Sequence, residues 1–266
     1  MFRSEVPPSQ MKISVVTPSL NQGRFIERTI VSVLDQTGDF ELEYIVADGG
    51  STDQTVEILK QYQTRLIWFS EKDQGQSDAL NKGFTLTTGG LLGWLNSDDT
   101  YEPGALDRVA SLYKARKFEW CFGNCRIIDA HDRPIRNLIT WYKGFEGRRY
   151  SYRRLLSKNF ICQPSVFFTQ NVHQEVGAVD NNRPYAMDYD YWLRIGKRYR
   201  PLYIPKHLAN FRWHSGSKCG LNFTPGAREA YNVARAHAVP PCQYRYPLLR
   251  HYLHYLLLRV TYKMLS

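Results

Sequence analysis

The first half of the chain repeats one unit: a short apolar run that stops at a polar loop, then residues spaced for a helix. Lys12 to Thr17 is such a run, ended by Pro18, and Phe25, Ile26, Ile30, Val33 and Leu34 follow at helical intervals. Glu43 to Ala47, Arg65 to Phe69 and Leu91 to Leu95 are the next three runs. The residues after each again read as helix: Val56, Ile58 and Leu59 behind a capping signal at Thr52, then Ser77 to Leu86, then Pro103 to Lys114. Strands separated by helices specify a mostly parallel sheet with helices on both faces.

After about residue 117 the pattern changes. Trp120 to Ile128, Pro134 to Thr140 and Ile161 to Phe168 read as antiparallel or mixed strands, with a helix from Asp188 to Arg198 among them. Two helical segments, Pro225 to Val239 and Pro247 to Leu265, close the chain. With 266 residues, 43% of them hydrophobic, one domain with sub-lobes is expected. Its divisions are a loose arm (1–11), a ligand-binding half (12–116), a second half of the same domain (117–222) and C-terminal helices (223–266).

In open parallel sheets, ligands bind beyond the carboxyl ends of the strands. Four consecutive strand ends here carry polar loops: Thr17-Pro18-Ser19-Leu20-Asn21, Asp48 to Asp53, Lys72 to Asp78 and Asn96-Ser97-Asp98-Asp99. Adjacent carboxylates repel, so Asp98-Asp99 calls for a cation or for hydrogen bonds that compensate. Oxygen ligands in a turn suit Mg²⁺ or Mn²⁺ bridging a diphosphate. Asp48 can read a base or ribose edge, or it can cap backbone amides of its own turn. Gly49 and Gly50 permit a tight turn, but without GxGxxG they form no dinucleotide fingerprint.

The ordered set TPSLNQ, DGGSTDQT, KDQGQSDALNKG, WLNSDD and MDYDYWLR, over roughly residues 12 to 215, resembles the family 2 glycosyltransferases. That resemblance implies a GT-A-like α/β fold: a mostly parallel sheet with flanking helices, a smaller mixed acceptor-side sheet and C-terminal helices. It also implies an inverting transfer from a nucleotide-sugar donor, UDP-linked by default, to a carbohydrate or lipid-linked acceptor, in cell-surface polysaccharide synthesis. Thr17, Pro18, Asn21, Asp48, Asp73, Gln76, Ser77, Asn96 and Asp98 would line the donor site. Asp99 would be the direct Mg²⁺ or Mn²⁺ ligand, with His214 either a third ligand or a plain surface histidine. The catalytic base maps to Asp188, although the glutamate that precedes it in the family is Met187 here. Gln163, Asp190 and Trp192 fall on the acceptor side. A degenerate relative that binds a sugar nucleotide without chemistry is the competing reading, favoured by Met187.

The formal net charge of +10 suits a polyphosphate ligand or an anionic membrane. Nucleic acid is not expected, because no basic recognition helix or aromatic RNA-binding signature is present. Five scattered cysteines without a CxxC pair fit a reducing cytosol, and no signal-type apolar stretch is visible near residue 1. Leu248, Leu249, Tyr252, Leu253, Leu256, Leu257, Val260 and Met264 form an apolar stripe interrupted by Arg250, Arg259 and Lys263. Segment 247–265 is thus read as lying on the inner face of a membrane or as docking on the protein's own core.

Overall fold

Alternate residues of the first strand bury on opposite sides of one sheet: Ile13 and Val15 join one core, Val16 the other. The computed structural model describes residues 11–214, 216–218, 223–239 and 241–265, so the expected arm lies almost wholly outside the described residues. The repeated unit folds as β1 (Lys12–Ser19), α1 (Ile26–Leu34), β2 (Glu41–Asp48), α2 (Thr55–Gln61), β3 (Ile67–Ser70), α3 (Gln76–Thr85) and β4 (Leu91–Trp94). Strands β3, β2, β1 and β4 are parallel neighbours in that order. No side chain caps the N-terminal end of α1, and its buried stripe Ile26, Ile30 and Val33 holds it down. Burial of each such side chain stabilises by about 1.5–3 kcal/mol.

The second half comprises β5 (Thr100–Tyr101), α4 (Ala105–Arg116), β6 (Trp120–Ile128), β7 (Pro134–Ile135), α5 (Asn137–Arg148), α6 (Tyr152–Ser157), β8 (Val166–Thr169), α7 (Gln170–Val176), α8 (Met187–Arg198) and β9 (Leu202–Arg212). Strand β8 runs antiparallel to both β4 and β6, and β9 runs parallel to β6. The mixed strands therefore continue the parallel ones in a single sheet ordered β3-β2-β1-β4-β8-β6-β9-β5, with β7 on β6. The acceptor-side sheet is an extension and not a separate layer.

The run Pro134 to Thr140 is a strand only at Pro134–Ile135. Arg136 then takes a left-handed φ of 54° and the chain enters α5. Leu138, Trp141, Tyr142 and Phe145, spaced by three and four, belong to a helix face, which the β-like composition of the run obscures. Ile161 to Phe168 likewise begins with a 3-10 turn at Gln163–Ser165, built on Pro164, before β8.

Helices α9 (Phe223–His237) and α10 (Arg245–Leu265) complete the chain. One face of α10 docks: Leu248 packs on the core, and His251 Nδ1 donates to the Leu156 carbonyl at 3.0 Å. Tyr246, Leu249 and Leu253 on the other face are exposed. The expected stripe is thus divided between core and surface, and its side chains Leu257, Val260 and Met264 lie outside the described residues. Among the described residues, no helix is long and apolar enough to cross a membrane.

Candidate active site

The loops after β1 and β2 are joined by hydrogen bonds. Asn21, at φ 52°, accepts from Thr52 N at 2.8 Å through Oδ1, and its own N–H donates to Ser51 Oγ at 2.7 Å. Asp53 accepts from Gly23 N and Thr55 N, so it caps α2 and anchors the first loop. Asp48 accepts from Gly50 N, Ser51 N, Ser51 Oγ and Ser70 Oγ. Four donors occupy a carboxylate that is 1% exposed, so its first job is to fix the β2 loop. Asp73 accepts from Gly75 N at 2.8 Å. A Cβ at Gly49 would stand 2.3 Å from Asp73 Oδ2, so only glycine lets the two loops close.

The two adjacent aspartates part company in the fold. Asp99 is fully buried and accepts from Arg212 N at 2.8 Å and from Asn96 Nδ2 at 3.4 Å. Burial first, then the neighbouring Asp98 charge, pushes its carboxyl well above the usual carboxylate range. Asp98 turns toward the rim, where its Oδ2 lies 3.1 Å from His214 Nε2. Arg212, itself fully buried, holds this turn by donating from Nε to the Asp98 carbonyl and from Nη1 to the Asp129 carbonyl. The carboxylate on the rim beside His214 is thus that of Asp98, whereas the Asp99 carboxylate is buried.

Asp188 opens α8, where its Oδ1 accepts from Tyr189 N at 2.7 Å. Burial pushes this carboxyl up to about 6, against the Tyr189 N–H, the nearby Lys143 ammonium and the Asn159 amide, which favour its charged form. Lys143 Nζ sits 3.3 Å from Cys162 Sγ. Contacts between sequence-distant residues, bridged by chain neighbours, link this site to the strand-end rim. Met187 Sδ accepts from Ser77 Oγ at 2.8 Å, Gln76 Nε2 donates to Asn96 Oδ1 at 2.8 Å, and Asn96 reaches Asp99. A carboxyl poised near 6 at the edge of a polar rim has the properties of a general base.

Three acceptor-side expectations fare differently. Trp192 is fully buried, stacked on Trp120 and packed against Trp94, so no acceptor can touch it. Asp190 is 7% exposed and ties α8 to α9 through His237 at 2.8 Å, with Arg194 at 3.0 Å. Gln163 Nε2 donates to the Trp94 carbonyl and pins the turn before β8 to the end of β4. Thr17 and Pro18 end a buried strand, and Thr17 Oγ1 accepts from Tyr44 at 3.2 Å. A cavity of about 560 Å³ is lined by five charged residues, four of which pair with one another: Arg28 with Asp132 at 2.8 Å, and Arg126 with Glu102.

Some contributors carry no sequence signal. Lys218 Nζ donates to Gln76 Oε1 at 3.0 Å and brings a cation to the donor rim. Glu229 Oε1 accepts from Tyr185 N and Ala186 N at 3.0 and 2.8 Å, holding the chain just before the helix that begins with Met187-Asp188. Lys143 and Asn159 reach Asp188 from elements distant in the chain. Only the motif MDYDYWLR pointed to this region, and it names none of them.

The family model described as Glycosyl transferase family 2 matches residues 14–177. A PGL/p-HBAD biosynthesis glycosyltransferase of Mycobacterium tuberculosis is 31% identical over 188 residues, 68% of each chain. Another curated relative is matched over only 41% of its length. Among solved structures, S. aureus TarS 1–349 in complex with UDP-GlcNAc superposes at TM-score 0.63 and 15% identity, covering 86% of this chain and 67% of that one. A mannosyltransferase from Pyrobaculum calidifontis in complex with GDP-Man and Mn²⁺ also gives 0.63 at 16% identity, covering 89% and 66%. The fold is thus the GT-A-like arrangement of those structures.

Proposed function

The chain belongs to glycosyl transferase family 2, and on that premise we propose that it moves a sugar from a nucleotide-diphosphate donor to a hydroxyl of a carbohydrate or lipid-linked glycan, in cell-surface polysaccharide synthesis. The carrying observation is the set of contacts, bridged by chain neighbours, from the Asp98–His214 rim through Asn96, Gln76 and Ser77 to Met187-Asp188. UDP is the default nucleotide, and the solved neighbours named above bind UDP-GlcNAc and GDP-Man. Segment 247–265 would hold the enzyme at an anionic membrane, on the cytoplasmic side where lipid-linked acceptors are met.

Among the described residues no group of three or more metal-ligating side chains forms a closed cation site. One carboxylate and one imidazole 3.1 Å apart offer a ligand pair that fits a Mg²⁺ or Mn²⁺ ion. Asp98 and His214 would hold that ion, and Asp99 would brace the turn from below. When bound, the ion offsets negative charge on the leaving diphosphate.

The chain's own groups account for the remaining steps. Asp188 takes the proton of the acceptor hydroxyl, whose oxygen attacks the anomeric carbon. The bond from that carbon to the diphosphate oxygen breaks, and one displacement inverts the configuration. Lys218 places positive charge near the departing nucleoside diphosphate. Donor turnover should require Mg²⁺ or Mn²⁺, and Asp188→Asn should stop transfer while donor binding persists. Met187 in place of glutamate favours the second reading, a binding module. Calorimetric donor binding without product across varied acceptors would establish that alternative.

A further inference from the structure

Helices α5 and α6 and the final helix, residues 137–158 and 245–265, carry ten Lys and Arg and one acid, Glu146. These segments hold nine of the ten net positive charges, and the rest of the chain is almost balanced. The same helices expose large apolar side chains. On α5, Leu138 is 83% and Trp141 67% exposed, and Phe145 stacks beneath Trp141 at 5.8 Å. On α10, Tyr246 is 69%, Leu249 52% and Leu253 55% exposed, on one face by their spacing of three and four.

The two faces meet across α6. Lys158 donates to the Tyr142 hydroxyl of α5 and lies over that ring, 4.6 Å from its centroid. The Arg250 charge of α10 is close enough to lower the Lys158 ammonium's pKa, an effect second to burial. Tyr142 follows Trp141, and Arg250 follows Leu249. Helices α5 and α10, each with exposed apolar side chains, are thus linked at the end of α6 by Lys158, with the Arg250 charge nearby.

We propose that α5, α6 and α10 form one composite docking surface for an anionic lipid bilayer, with Leu138, Trp141, Leu249 and Leu253 entering the interface and Lys158 and Arg250 facing headgroup phosphates. Aromatic and leucine side chains gain by leaving water, and basic side chains are drawn to an anionic leaflet. A second copy of this chain would set the same positive charges against each other. A soluble polyanion would leave the leucines in water. The surface extends the attachment suggested for 247–265 to a second, sequence-distant helix, and it does not depend on catalysis.

Sedimentation of the full chain with phosphatidylcholine vesicles containing or lacking 30% phosphatidylglycerol tests this, in low and high salt. Binding should rise at least tenfold with the anionic lipid and fall with salt. The double variant Leu138→Glu/Trp141→Glu, at exposed positions where folding is undisturbed by thermal melt, should lose tenfold or more. Leu249→Glu/Leu253→Glu should lose as much. Unchanged binding by the α5 variant overturns the composite surface, as does equal affinity for neutral vesicles. A stable dimer that the α5 variant dissociates would also overturn it and assign the face to a second copy.

Discussion

His214 Nε2 lies 3.1 Å from Asp98 Oδ2, while the adjacent Asp99 carboxylate faces the other way, onto Arg212 N at 2.8 Å. Two neighbouring acids therefore have different tasks. Asp98→Asn should raise the Mn²⁺ needed for half-maximal donor turnover tenfold or more, and His214→Ala should act in the same direction. Asp99→Asn, which keeps an oxygen for Arg212 N, should leave the Mn²⁺ requirement unshifted. Metal titrations of the three variants check this; a shift confined to Asp99→Asn would restore Asp99 as the ligand.

The Asp188 carboxyl titrates at about 6 instead of its ordinary 3.8, with burial the main cause. The proposed base works ionised, so log kcat should fall with unit slope below about pH 6 and level off above it. The stability sign follows from the raised value. A carboxyl with a higher pKa folded than unfolded stabilises fully below the unfolded value, and that contribution is lost as pH rises through the folded one. Asp188→Asn should therefore gain on the wild type between pH 4 and pH 7, on the order of 1–3 kcal/mol. Urea unfolding at the two pH values measures it.

Glu229 holds the chain just before α8, accepting from Tyr185 N and Ala186 N, while Ala186 supplies no cap of its own. Glu229→Ala should cost about 1–2 kcal/mol of stability. Because α8 begins with the proposed base, kcat should drop while donor affinity holds. Glu229→Gln, which keeps an acceptor, should recover most of both losses.

Arg212 is 0% exposed, and its guanidinium donates to the Asp98 and Asp129 carbonyls and pairs with Asp132 at 2.7 Å. Arg212→Met should leave the Asp98 and Asp129 carbonyls without their side-chain donor and destabilise by about 1–3 kcal/mol. Calorimetric melting checks this. A fall of only one or two degrees would mean that the turn before β5 is held by other contacts.

The parallel half was legible because its signals are local. Apolar runs, the loop residues that end them and the helical spacing between them all lie within about thirty residues. The second half hides its strands: β8 has four residues, and α5 begins inside a run of β-forming residues. Which of Asp98 and Asp99 turns outward could not be read locally, because Arg212 N and His214 come from the far end of β9. Trp192 was expected on the acceptor side, yet Trp94 from β4 and Trp120 from β6 enclose it. Asp188 was named from its motif, whereas Lys143 and Asn159 come near it, and Glu229 near the start of α8, only through the fold.

Donor binding and acceptor transfer, measured side by side in Asp188→Asn, test the central claim most directly. The account predicts a Mn²⁺-dependent thermal shift with the nucleotide sugar equal to that of the wild type, and transfer reduced by about 10²–10⁴-fold. Transfer within tenfold of the wild type, at unchanged donor affinity, would contradict the assignment of Asp188 as the base.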